Sequence, residues 1–267
     1  MVKPASIQPI GQEARVAMLV HGYPGSGKTY LASTMPRTLI IRPMVDHTVS
    51  IPTENRKNVQ EAVVTSWPDM WELRDYLLYG SPEEEFDWVW LDSISAFQEI
   101  GLQDIFDVIV AAKPHRAGGP IDRGEYGENM RRLADFVRLM VGKAHIHFGI
   151  TAWPFPTESP TGEDIFMPWV QGKSMPERIT GYMNVVGYMA IHQKTNRRRE
   201  KVGDPYRTMF TNLTDRYYAK DQFDAFGGEL VDPTMPKIMA AIEATGRLGS
   251  SEAPAPKRRT GARRRPR

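Results

Sequence analysis

The sequence predicts an α/β fold with a mainly parallel central sheet flanked by helices. Three observations carry that expectation. Apolar runs suited to buried parallel strands recur at residues 15–20, 38–42, 86–91 and 145–151. Helix-compatible stretches alternate with them at residues 28–35, 67–79, 94–112 and 128–141. The first strand runs straight into Gly22-Tyr23-Pro24-Gly25-Ser26-Gly27-Lys28-Thr29, which fits the phosphate-binding loop pattern G-x-x-x-x-G-K-[ST].

That loop organises the rest. Gly22, Gly25 and Gly27 let the backbone curl so that its N–H groups face phosphate oxygens. Tyr23, Pro24 and Ser26 complete the loop, and Tyr30 follows it among the nucleotide-contacting positions. Lys28 is placed to reach the β- and γ-phosphates, and the Thr29 hydroxyl to ligate Mg²⁺. Strand, glycine-rich turn and helix together imply that the chain binds ATP with Mg²⁺. The helix stops at Pro36, which cannot continue it.

Residues 43–58 read as irregular, with two prolines and many polar side chains. Ser66 is suited to cap the next helix, Pro68 to its first turn and Gly80 to its end. Residues 86–91 form an apolar strand that ends at Asp92, the Walker B arrangement in which an Asp holds Mg²⁺ through water. Capping the following helix is the other task open to Asp92. That helix carries Ile94, Phe97, Leu102, Ile105 and Ile109 at near-helical spacing. Residues 113–127 read as a loop, with adjacent glycines, two prolines and several charges.

His145 and His147 share one face of the next strand. No acidic ligand accompanies them at short spacing, so core or edge histidines outweigh a metal site. Residues 153–167 hold three prolines and a turn tip at Thr161-Gly162. A short helix is expected at 175–180, strands at 183–192, 207–211 and 217–219, a hairpin-like polar connection at 193–204, and a helix at 233–244. Three segments result: an N-terminal extension (1–14), one ATPase domain (15–246) and a disordered basic tail (247–267).

Composition sets outer limits. There is no cysteine in the 267 residues, which excludes disulfides and Cys-based zinc sites. Residues 1–14 lack the apolar core of a signal peptide, and no apolar run approaches a membrane span, so a cytoplasmic location is expected. Residues 253–267 carry seven cations and no acid. Subtracting those seven from the net +2 leaves −5 on the remainder. A tail so basic is expected to attract polyanions.

A complete strand-and-helix unit separates the loop from Asp92. That spacing suits ATPases in which a further strand lies between the loop strand and the Walker B strand. Residues 145–151 are the candidate, with Thr151 as the polar sensor. Motor-type AAA ATPases usually have Asp-Glu at Walker B and a helical lid, whereas here Ser93 follows Asp92 and the C-terminal third reads as strands and turns. The loop, Leu91-Asp92-Ser93, Ile150-Thr151-Ala152, Gln171-Gly172-Lys173 and Tyr218-Ala219-Lys220-Asp221 occur in an order that resembles the RecA-like ATPases of tailed phages. That family includes single-strand-annealing recombinases, and the resemblance spans roughly residues 14–232.

The resemblance implies a catalytic carboxylate at the end of the strand after the loop helix. Asp46 is the candidate, in place of the Glu of RecA itself, with His47 the alternative. It implies that Lys220 reaches a neighbouring subunit's ATP, so the chain would be a homo-oligomer, ring or filament. It implies single-stranded DNA as partner, held by the loops at 113–127 and 153–173. Lys113, Arg116, Arg123 and Lys173 would meet phosphates there. Trp153, Phe155 and Trp169 would either stack on bases or pack under their own loops. A single-strand-binding protein is a further expected partner. A small-molecule or nucleotide kinase is the alternative, with Arg197-Arg198-Arg199 as its closing lid.

Overall fold

The central strand, β1 (Ala17–His21), is buried along its whole length, and both neighbours run parallel to it. The computed structural model describes residues 15–47, 49–158, 162, 164–195 and 201–249. The N-terminal extension, the Arg197-Arg198-Arg199 cluster and the basic tail from residue 250 lie outside these residues.

In chain order, α1 (Lys28–Ser33) and β2 (Thr38–Pro43) follow β1. Next come β3 (Val59–Val64), α2 (Trp67–Tyr79), β4 (Trp88–Leu91), α3 (Ile94–Ala112), α4 (Arg123–Lys143) and β5 (His147–Ala152). A hairpin of β6 (Pro154–Glu158) and β7 (Asp164–Pro168) leads to α5 (Met175–Tyr182). The chain closes with β8 (Val185–Thr195), β9 (Lys201–Phe210), β10 (Lys220–Asp221), β11 (Glu229–Val231) and α6 (Met235–Ala244). The main sheet has the order β11-β9-β8-β1-β5-β4-β2-β3, with β10 also on β8. From β8 to β3 every pairing is parallel, and β9, β10 and β11 are antiparallel. As the spacing predicted, β5 lies between the loop strand and the Walker B strand.

Alternation along the strands builds two apolar layers. Leu19, Leu39, Ile41, Leu91, Phe148 and Ile150 face a core shared with α2, α3, α4 and α5. Met18, Val20, Ile40, Trp90 and Met209 face the opposite core, closed by α1 and α6. The parallel sheet is covered by helices on both faces, as such sheets require.

The helix starts follow their caps. Ser66 accepts from Asp69 N–H and Asp69 returns the bond, a capping box ahead of α2 that ends at Gly80. Asp122 and Glu125 make the same box at α4, so that helix begins at Arg123 and the expected loop at 113–127 is shorter. β3 joins the sheet edge, parallel to β2 and just ahead of the Ser66 cap. In the proline-rich 153–167 stretch β6 and β7 pair antiparallel, with Pro154 opposite Pro168, and Thr161 of the expected turn tip lies outside the described residues. Of the polar run at 193–204, residues 193–195 belong to β8 and 201–204 to β9, and residues 196–200 lie outside the described residues. The strand expected at 217–219 reduces to one bridge between Tyr217 and Phe166, and regular pairing starts at Lys220.

Candidate nucleotide-binding site

The carboxyl ends of β1, β2, β4 and β5 meet at one edge of the sheet, where α/β folds place ligands. The loop leaves β1 with Gly22, Gly25 and Gly27 at φ of 156°, 82° and 98°. The last two values are left-handed and favour glycine. At Gly22 the constraint is space, since a Cβ would meet the Met189 carbonyl oxygen at 2.4 Å. Tyr23 stands out from the loop, 55% exposed, with its ring edge-on to Phe166 of β7.

Lys28 is buried and donates to the Gly22 and Tyr23 carbonyls at 2.7 and 3.1 Å, so its ammonium curls back over the loop. Burial lowers its pKa to about 8, against the opposing pull of the Asp92 and Asp46 carboxylates. Asp92 binds two hydroxyls at once. Its Oδ2 accepts from Thr29 at 2.6 Å, and its Oδ1 accepts from Thr151. Loop, Walker B strand and sensor strand therefore converge on one carboxylate. A hydroxyl and a carboxylate side by side are the hard oxygen donors Mg²⁺ takes, so Thr29 and the Asp92 shell fit that ion. When bound there, Mg²⁺ would supply positive charge that offsets the charge of the phosphates.

Asp46 comes from the turn after β2. Arg42 holds that turn, donating to the Asp46 carbonyl at 2.9 Å while pairing with Glu61 of β3 at 2.8 Å. The Asp46 side chain accepts from both the N–H and the hydroxyl of Ser93, which follows Asp92 through a cis peptide. Burial and the neighbouring Asp92 charge raise the Asp46 pKa above the usual carboxylate range, and the Ser93 bonds oppose this. A half-buried carboxylate so tuned has the character of a general base. His47 is exposed beside it.

Other expected residues are placed differently. Lys220 pairs opposite Val186 and donates to the Thr180 carbonyl at 2.9 Å, so the fold does not bring it to its own phosphate loop. Arg116 is held by Asp122 and by Glu125, the latter at 2.9 Å, so its charge is already matched inside the chain. Lys113, Arg123 and Lys173 are exposed. Trp153 and Trp169 stack on each other, 5.2 Å between centroids, at the root of the hairpin. Phe155 on β6 is 51% exposed. His147 Nδ1 accepts from Val16 N–H at 2.9 Å and burial lowers its pKa to about 4, a neutral structural histidine. Among the described residues no cluster of three metal-ligating side chains occurs.

Three side chains at the site have no role assigned from the sequence. Ser93 positions Asp46. Ser95 donates to the Trp169 carbonyl at 2.8 Å and accepts from Trp153 N–H at 2.9 Å, tying both legs of the hairpin to α3. Arg207 of β9 lies over the Tyr30 ring, with its guanidinium carbon 4.9 Å from the centroid. The only sequence signal for the serines was their adjacency to Asp92, and for Arg207 there was none.

The family model for the AAA domain matches residues 14–223. The chain belongs to that AAA domain family. No curated protein matches the sequence. A solved structure, the flagellar accessory protein FlaH from Methanocaldococcus jannaschii, is similar at 11% identity and a TM-score of 0.35. That match covers 75% of this chain and 79% of that one. The AAA domain here is a P-loop ATPase domain, built for nucleotide binding. Its Asp92 is followed by Ser93 instead of a second acid, and β8, β9, β10 and β11 make up most of its C-terminal third. Among the described residues no helix is long and apolar enough to cross a membrane.

Proposed function

We propose that the chain is an ATP-dependent, DNA-binding ATPase of phage-type recombination that anneals or pairs single strands. ATP sits at an interface between copies, Lys28 and the loop N–H groups hold its phosphates, and Asp46 activates water. Hydrolysis resets DNA affinity. The observation that carries the hydrolytic half is Asp92, which joins Thr29 to Thr151 while Asp46 stands at Ser93 beside it. A carboxylate poised next to a cation-suited pair is what hydrolysis requires and simple nucleotide storage does not.

The DNA half rests on connectivity. The β6–β7 hairpin begins two residues after Ala152, and Ser95 fixes its root one helical turn from Asp92. Exposed Phe155 offers a face for base stacking, and exposed Lys113, Arg123 and Lys173 offer charge for phosphates. Lys220 would act on a neighbouring copy's nucleotide.

The test is ATP turnover with and without single-stranded DNA, using Lys28→Ala as control. Turnover should rise with DNA and vanish in the variant. Turnover in the variant equal to wild type would reject the phosphate-loop assignment. Turnover that ignores DNA but needs a phosphate acceptor would replace this reading with a kinase.

A further inference from the structure

Arg207 belongs to none of the motifs above, yet its side chain lies directly against the phosphate loop. Its backbone is fixed on both sides. It pairs with Ile191 of β8. Its N–H donates to Asp232 Oδ1 at 3.0 Å and its carbonyl accepts from Asp232 N–H at 2.7 Å. The side chain then crosses to the loop: a Cβ built on Gly27 would fall 2.5 Å from Arg207 Nε and 2.8 Å from Cδ. The guanidinium also covers the Tyr30 ring.

Its chemistry is unfinished. Arg207 Nε is buried and has no hydrogen-bond partner among the described residues. No ion pair involves its guanidinium there, in contrast to Arg42 and Arg116, which each meet a carboxylate. A buried donor without an acceptor is unfavourable, and a planar guanidinium matches phosphate oxygens better than any other side chain. The Tyr30 face steadies the group without using any of its N–H donors.

We propose that Arg207 is a phosphate-binding residue of the nucleotide site, supplied by the same chain and directed at the α/β end of the bound nucleotide. Lys28 and Thr29 serve the β/γ end, and Arg207 lies over the next residue, Tyr30. The contact is therefore common to ATP and ADP. It also gives Gly27 a second reason to lack a side chain, because any Cβ there would displace the arginine. The inference deepens the ATP reading and rests on it.

The experiment is equilibrium titration of ADP and a non-hydrolysed ATP analogue against wild type, Arg207→Ala, Arg207→Gln and Arg207→Lys. Lost charge-assisted bonds should weaken both nucleotides by about tenfold or more in the Ala and Gln variants, and by similar factors. Lys, which keeps the charge but not the fork, should recover part of the loss. Unfolding midpoints without nucleotide should match wild type, which a merely structural role would not allow. If the Ala form fails to fold, the Gln and Lys forms carry the same comparison. Wild-type affinity in the Gln form overturns the inference while leaving the ATP site intact. A wild-type protein that binds neither nucleotide overturns the ATP reading beneath it.

Discussion

Asp46 and Ser93 are joined by two hydrogen bonds to a single carboxylate oxygen, both 3.1 Å, from the serine N–H and from its hydroxyl. That leaves the second oxygen of Asp46 outside the pairing. In Asp46→Asn, ATP should bind as before while turnover falls by about a hundredfold or more, the scale of a positioned base. The pH profile adds a sign. Because the Asp46 pKa is raised, wild-type turnover should drop on acidification at a higher pH than an ordinary carboxylate gives. Turnover in the Asn form equal to wild type would move the role to His47.

Lys28 makes a separate pH prediction. Its cation is the phosphate-binding form, and burial lowers its pKa from 10.5 to about 8 in the free protein. Nucleotide affinity should therefore weaken as pH rises through about 8, and binding near that pH should take up a proton. Stability of the free protein moves the other way. Between about 8 and 10.5 the unfolded chain keeps this proton and the folded chain does not, so this group's contribution rises with pH. Calorimetry in buffers of different ionisation enthalpy reads the proton uptake, and Lys28→Ala should abolish it with binding.

Thr151→Val removes one of the two hydroxyls on Asp92 while keeping shape. The buried carboxylate is left with one donor fewer, so Mg²⁺-dependent turnover should fall more than nucleotide affinity does. Asp92→Asn should lower turnover further. Measuring both constants over a Mg²⁺ series separates the effects. Equal losses in affinity and turnover would make Thr151 a packing residue only.

Gly149 is a stability test away from the chemistry. It sits in the middle of β5, and a Cβ there would lie 2.3–2.5 Å from the Trp90 indole. Trp90 is wholly buried and cannot swing out. Gly149→Ala should cost about 1–3 kcal/mol by overpacking, read from denaturant midpoints. A midpoint equal to wild type would mean that this layer is looser than the geometry says.

Deleting residues 253–267 removes seven cations. If they neutralise phosphates, affinity for single-stranded DNA should drop and its salt dependence flatten by about 0.7 per lost contact. ATP turnover without DNA should hold. Unchanged affinity and slope would leave the β6–β7 hairpin and the exposed lysines as the DNA-binding candidates.

The four central strands were legible because buried parallel strands are continuous apolar runs, and the place of β5 between β1 and β4 followed from the spacing between the phosphate loop and Asp92. Ser66 and Gly80 marked α2 in the same way. The start of α4 was also written in the sequence, as Asp122 and Glu125 three apart, but Gly124 and Gly127 masked it. β3 alternates weakly and keeps Gln60 and Glu61 exposed at the edge, so no apolar run announced it. The β8–β9 ribbon continues past the core, where periodicity has nothing to bury. Within the site, pattern found the residues that share a motif, Lys28, Thr29 and Asp92. It gave no sign of Arg207, whose nearness to Gly27 arises only when a late antiparallel strand folds back across the loop.

Ser95 has a mechanical consequence. One hydroxyl holds both legs of the β6–β7 hairpin, and Trp153 stacked on Trp169 closes the gap between them. The root cannot spread without breaking that shared bond, so its two legs move with the first turn of α3 as one piece. A displacement of either leg at the root is passed to the helix that follows Asp92 and Ser93, instead of being lost in the splaying of two strands.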